Sequence, residues 1–130
     1  MTFTAGEQEF LRNQPIGRLC TVGPDGGPQI RPVGLHLGAD GSTIDIVGHA
    51  LASTQKWRNV IGNPQVAFIV DEVISVKPPR AHGVEIRGAA QVLPGRGSTD
   101  DGLSGDIIRI TPQRIISWGI DHPQTRGRPA

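Results

Sequence analysis

Residues 52–66 read ASTQKWRNVIGNPQV, and Lys56 stands there in the first turn of a short amphipathic helix whose cap is Ser53 or Thr54. Trp57, Val60 and Ile61 supply its apolar stripe at spacings of three and four, and Gly62 and Pro64 stop it. A cation does not belong at that end. The free amides and the helix dipole already make a helix N-terminus positive, so a first-turn lysine costs roughly a few tenths of a kcal/mol unless an anion lies nearby. Free amides, an ammonium and a guanidinium fork together are a standard means of holding a phosphate or a carboxylate. The guanidinium that a simple hairpin brings closest is Arg31, in the run QIRPVGLHL at 29–37.

Other chemistries find little support. The histidines stand at 36, 49, 82 and 122, without the H-x-H or H-x-x-x-H spacing of a metal pair, and a single cysteine, Cys20, excludes a cysteine-based zinc finger and an internal disulfide. No G-x-S-x-G elbow, P-loop or G-x-G-x-x-G follows a strand. Cys20 falls in an alternating strand, where a small buried thiol is the ordinary reading. Glu85 and Arg87 alternate with Val84 and Ile86 as the polar face of a half-buried strand.

The elements that must position these groups are mostly strands. Thr4 and Glu7 have the T-x-x-E spacing of a capping box ahead of Phe10 and Leu11, which predicts a helix over about 5–13. IGRLCTV at 16–22, the turn cluster GPDGGP at 23–28 and QIRPVGLHL form one hairpin, and ADGS at 39–42 turns the chain into STIDIVG for a second. If that turn is centred near Asp40, Leu37 faces Thr43, Val33 faces Val47 and Arg31 faces His49. Pro32 cannot donate to a ladder and marks an edge or a bulge, with Gly34 exposing the backbone beside it. Further strands are expected at 65–73, 83–93, 106–110 and 113–120, with long loops at VKPPRAHG and PGRGSTDDGLSG. Eighteen glycines and eleven prolines among short strands point to an antiparallel β-barrel with short helices.

Length and charge bound the partners. A chain of 130 residues is one ordinary domain, 1–130, which a second copy would help to stabilise. A net charge of +1 provides no broad field for nucleic acid or an acidic membrane, so an anion site must be local. Three phenylalanines, two tryptophans and no tyrosine leave few stacking platforms for single-stranded nucleic acid. The N-terminal MTFTAGEQEF lacks the pattern of a signal peptide, and no run approaches the roughly 18 apolar residues of a membrane span, so a soluble, cytoplasmic protein is expected.

The order R-P-V-x-L-H-L, then I-x-I-V-G, then S-T-Q-K-W-x-N-V-x-x-N-P-x-V, then G-V-E-I-R-G-A-A-Q-V resembles the pyridoxamine 5′-phosphate oxidase-like split β-barrel family, and more narrowly its branch dependent on the deazaflavin coenzyme F420. The likeness runs from Phe10 to about Ile120. It implies that Lys56 and Arg31 hold the cofactor phosphate, that Pro32 and Val33 lie along the ring, and that Gly48, His49, Ser53, Thr54 and Gln55 edge the ribityl chain and phosphate. It also implies a homodimer with cofactor sites at the interface. The pyridoxamine phosphate oxidases carry an arginine just before the lysine, where this chain has Gln55. Their basic substrate residues near the C-terminus have no counterpart in RITPQRIISWGIDHPQ, which favours the deazaflavin branch. The expected function is therefore coenzyme F420-dependent hydride transfer to or from a small organic substrate, with no catalytic side chain. The alternatives are an FMN-binding oxidoreductase of the same fold and a non-catalytic flavin-binding or storage protein.

Overall fold

Local sequence signals set the two helices. In the computed structural model, which describes residues 2–130, helix α1 spans Ala5–Arg12, and its Thr4 cap and Glu7 complete the capping box reciprocally. Helix α2 spans Gln55–Gly62, with Thr54 as its cap: the Thr54 hydroxyl accepts from the Trp57 amide. Trp57 and Val60 are buried as expected, but Ile61 is 64% exposed and the third inward position of α2 is taken by Asn59.

The strands are β1 (Ile16–Val22), β2 (Pro28–Leu37), β3 (Ile44–Val47), β4 (Gln65–Ser75), β5 (Arg80–Leu93), β6 (Ile107–Trp118) and β7 (Arg126–Pro129). They run antiparallel in the order β3-β2-β1-β4-β5-β6-β7, and a further pairing of β3 with β6 closes the first six into a barrel. Closure removes the free edges that an open sheet would expose. Inward positions such as Leu19, Leu35, Ile44, Phe68, Ile86 and Ile110 fill it, while Phe10 and Leu11 of α1 and Trp57 of α2 join the same core.

The structure departs from the sequence reading in four places. The two strands expected at 106–110 and 113–120 are one, because Pro112 sits at a bulge opposite Gly88 that lets β6 continue past a missing donor. VKPPRAHG is not a long loop: the β4–β5 ladder runs to Ser75 and resumes at Arg80. β7, in RGRP, was not expected at all, since it has no apolar alternation. The β2–β3 register differs by one residue, with Gly34 opposite Val47 and Leu37 opposite Ile44, and the pairing ends at Gly34. Arg31 therefore lies opposite Leu19 of β1, not His49. The outer edge of β2 at 28–33 is left unpaired, which is where Pro32 is tolerated.

The bulge makes Gly88 a sensitive position. A Cβ there would fall 2.2 Å from the Thr111 carbonyl oxygen, a backbone atom that cannot turn away. Gly88→Ala is expected to cost about 1–3 kcal/mol by overpacking, read as a lower midpoint in a denaturant titration. A wild-type midpoint would show that the strands separate there without penalty.

Candidate functional site

The unpaired edge of β2 and the first turn of α2 face one another across a cleft of about 460 Å³. Arg31 enters it from β2, Thr54, Gln55 and Lys56 from α2, and Thr21 and Gln29 from the strands below. Leu19 and Ile30 supply its apolar wall. No carboxylate, cysteine or histidine lines it among the described residues.

The cleft holds two neighbouring cations. Lys56 is half-buried, and its pKa is pulled down from the ordinary lysine value, first by burial and then by repulsion from Arg31. Two neighbouring cations ordinarily recruit an acid. Asp45, on β3, is held by Nε and Nη2 of Arg109, at 2.8 and 3.1 Å. Among the described residues neither Arg31 nor Lys56 enters an ion pair. Leaving two cations unpaired at a helix N-terminus costs stability and gains nothing structural, so the arrangement suits a ligand that brings negative charge.

The expected site residues divide into two groups. Arg31, Thr54, Gln55 and Lys56 meet in the cleft. Val33 is buried in the core, and Pro32, opposite Arg18, alternates to the other face of the strand from Arg31. Gly48 accepts a backbone bond from Ser104, and the His49 Nδ1–H donates to the Gly102 carbonyl at 2.9 Å, so both brace the loop before β6. Ser53 is exposed, and its carbonyl accepts from Arg58 at 3.2 Å.

Sequence reasoning missed Thr21, Gln29 and Asn59. Asn59 is buried and donates to Thr21 Oγ1 and Gln29 Oε1, each at 2.9 Å, and its Oδ1 accepts from Gln55 Nε2 at 2.8 Å. Gln55 is thus held by the protein rather than left loose beside the lysine; its Oε1 accepts from Arg58 at 2.9 Å. A signal did exist. Thr21 follows Gly17 and Leu19 on the inward alternation of β1, and a polar residue at a position whose period predicts burial needs a partner.

A barrel closed by β3 on β6, with a cationic cleft between β2 and a short helix, agrees with the family that the chain matches over residues 3–119, described as pyridoxamine 5′-phosphate oxidase. The chain belongs to this pyridoxamine 5′-phosphate oxidase family. Within it, the chain is 40% identical over 128 residues to the 5a,11a-dehydrotetracycline/5a,11a-dehydrooxytetracycline reductase of Streptomyces rimosus, which spans 98% of this chain and 90% of that protein. Among solved structures, the conserved hypothetical protein Rv2991 from Mycobacterium tuberculosis shares the fold with a TM-score of 0.69 at 20% identity, over 94% of this chain and 91% of that one. An F420 reductase shares it with a TM-score of 0.64 at 22% identity, over 87% and 98%. In this pyridoxamine 5′-phosphate oxidase family member, no described helix is long and apolar enough to cross a membrane, and no described group of histidine, cysteine and carboxylate side chains is arranged to hold a metal.

Proposed function

We propose that this oxidoreductase binds coenzyme F420 in the cleft between β2 and α2, as a homodimer, and uses it to reduce or oxidise a small organic substrate. The observation that carries the reading is the pair Arg31 and Lys56, adjacent and without an acid partner. The donor set fits the group: a guanidinium fork, an ammonium and the amides of α2 match a phosphate oxygen cluster, and Leu19 with Ile30 gives apolar surface next to it. When bound, the deazaflavin supplies the hydride chemistry. The chain's own residues bind and orient: Arg31 and Lys56 fix the phosphate, Thr54 holds the helix end, and the barrel wall keeps one side of the cleft dry.

A deazaflavin phosphodiester continues into an acidic tail, whereas FMN ends at its phosphate. A second cleft of about 570 Å³ adjoins the first through Gln55 and carries Arg58, which supports the longer ligand. Lys77 lies in the turn at the tip of the β4–β5 hairpin, and Arg80 stands beside it opposite Ser75, at the end of the ladder. Ile16 and Ile30, 50% and 62% exposed, supply apolar surface on the β1–β2 side that supports burial against a second copy.

Side-by-side fluorescence titrations decide the cofactor. Coenzyme F420 is expected to bind at least tenfold tighter than FMN, a gap of about 1.4 kcal/mol, and the gap should narrow as salt screens the tail. Equal or tighter FMN binding at low salt transfers the assignment to a flavin enzyme of this fold. Light scattering should return twice the 13.8 kDa chain mass, and a monomer that still binds cofactor would contradict a shared site. The first substrates to try are those named for the S. rimosus relative, 5a,11a-dehydrotetracycline and 5a,11a-dehydrooxytetracycline.

A further inference from the structure

The polar groups on the cleft floor share one orientation. Asn59 uses both amide hydrogens, one on Thr21 Oγ1 and one on Gln29 Oε1. Its own carbonyl oxygen accepts from Gln55, whose carbonyl oxygen accepts from Arg58. A primary amide has one carbonyl acceptor and two N–H donors, and a hydroxyl has one O–H. With the acceptor ends of Gln29, Asn59 and Gln55 turned into the protein, the groups left toward the ligand are mainly donors, the second lone pair of the Thr21 hydroxyl oxygen being the exception. The donors are the Gln29 amide hydrogens, which have no protein acceptor among the described residues, the Thr21 hydroxyl proton and the second amide hydrogen of Gln55.

We infer that Asn59 is a positioning residue that turns the amide donors of the cleft floor toward the ligand, and that Gln29 is a direct ligand contact selected by that orientation. The class of group favoured is an oxyanion with acceptors alone, such as a phosphate diester or a sulfate; a ligand group presenting N–H meets mostly donors and is disfavoured. This rests on the reading of the cleft as an anion site, and it adds the residues that set its polarity. Were Asn59 replaced by a side chain with no amide, Gln29 and Thr21 would be free to rotate and offer oxygen instead. Gly23 leaves the space in which the Gln29 amide sits: a Cβ at position 23 would begin 2.6 Å from Gln29 Nε2. Since the end of a flexible side chain is what stands in the way, Gly23→Ala displaces the amide and spares the backbone.

Sulfate is the test probe because it has no donor and stays ionised across the working pH range, and its binding is read from the thermal midpoint as a function of concentration. Gln29→Met and Gly23→Ala are expected to weaken sulfate binding three- to tenfold, each read against that variant's own ligand-free midpoint, which falls modestly because the buried Asn59 amide loses an acceptor. Asn59→Leu should weaken it to a similar extent. The double variant Asn59→Leu with Gln29→Met should lose no more than the larger single loss, because one residue acts through the other. Losses that multiply would mean that Asn59 is merely structural, and wild-type sulfate affinity in both Gln29→Met and Gly23→Ala would overturn the assignment. If Asn59→Leu does not fold, those two variants, at an exposed glutamine and a turn, still decide it. FMN and coenzyme F420 titrations of the same proteins separate the two readings. Sulfate binding that is lost in Gln29→Met, in a protein that binds neither cofactor, rejects the cofactor and keeps the role of Asn59. A wild type that binds neither sulfate nor cofactor rejects both.

Discussion

Replacing Arg31 and Lys56 together by alanine is expected to weaken cofactor binding by about 3–5 kcal/mol, a loss of roughly two to three and a half orders of magnitude, as befits two charge-assisted contacts. Each single substitution should account for about 1–3 kcal/mol of it. The pH dependence follows from the lowered pKa of Lys56, caused by burial and then by Arg31. Binding an anion requires the ammonium, so affinity should hold at neutral pH and fall as pH rises through the depressed lysine range. Lys56→Arg should lack that fall, since a guanidinium does not titrate there.

The same shift has the opposite sign for folding. A lysine whose folded pKa lies below its unfolded value of 10.5 destabilises the ligand-free protein while charged, and the penalty is relieved as pH rises through the folded pKa. Lys56→Met should therefore raise the ligand-free melting temperature while weakening cofactor binding by about 1–3 kcal/mol, the trade expected where a site stores unpaired charge. Unchanged cofactor affinity in both Arg31→Ala and Lys56→Ala would remove the cleft from consideration as the phosphate site.

Arg128→Met is expected to destabilise the fold by about 3–5 kcal/mol, because it strands a buried carboxylate. Glu7, on α1, is fully buried, and Arg128 of β7 grips it through both terminal guanidinium nitrogens while also donating to the Thr2 carbonyl at 2.9 Å. Burial alone would raise the Glu7 pKa. The bonds from Arg128 and the Thr4 amide, with the charge of Arg128 beside them, outweigh it, and the carboxyl lies below its ordinary value. A carboxyl held down in this way stabilises the fold above its unfolded pKa near 4.5, and that contribution is lost as pH falls through the folded value.

In Arg128→Met the sign reverses. The unpartnered carboxyl favours its neutral form, so the variant's deficit should be largest near pH 7 and shrink toward pH 4. For a chain of this size the loss near neutrality corresponds to a melting temperature lower by about 10–20 °C. Pairing Glu7→Gln with Arg128→Met should recover part of it, since both charges are then gone. A melting temperature within a degree of wild type would mean that β7 does not anchor α1.

The sequence by itself determined what depends on near neighbours. The capping box at Thr4 and Glu7, the Thr54 cap, the alternation of β1 and β4 and the edge placement of Pro32 all rest on groups within a few positions of one another, and each is where it was expected. The anomaly that located the cleft was equally local, a lysine in a first turn. The tertiary structure decided the rest, because the deciding partners are distant. Barrel closure is read from Asp45 meeting Arg109, 64 positions away, a pairing that no local pattern announces. β7 has no periodicity of its own and is held by a carboxylate 121 positions earlier. Asn59, in sequence one more polar residue on a helix, becomes the hub of the cleft floor only when β1 and β2 bring Thr21 and Gln29 beneath it, since an amide's two donors acquire direction from partners that chain order does not place together.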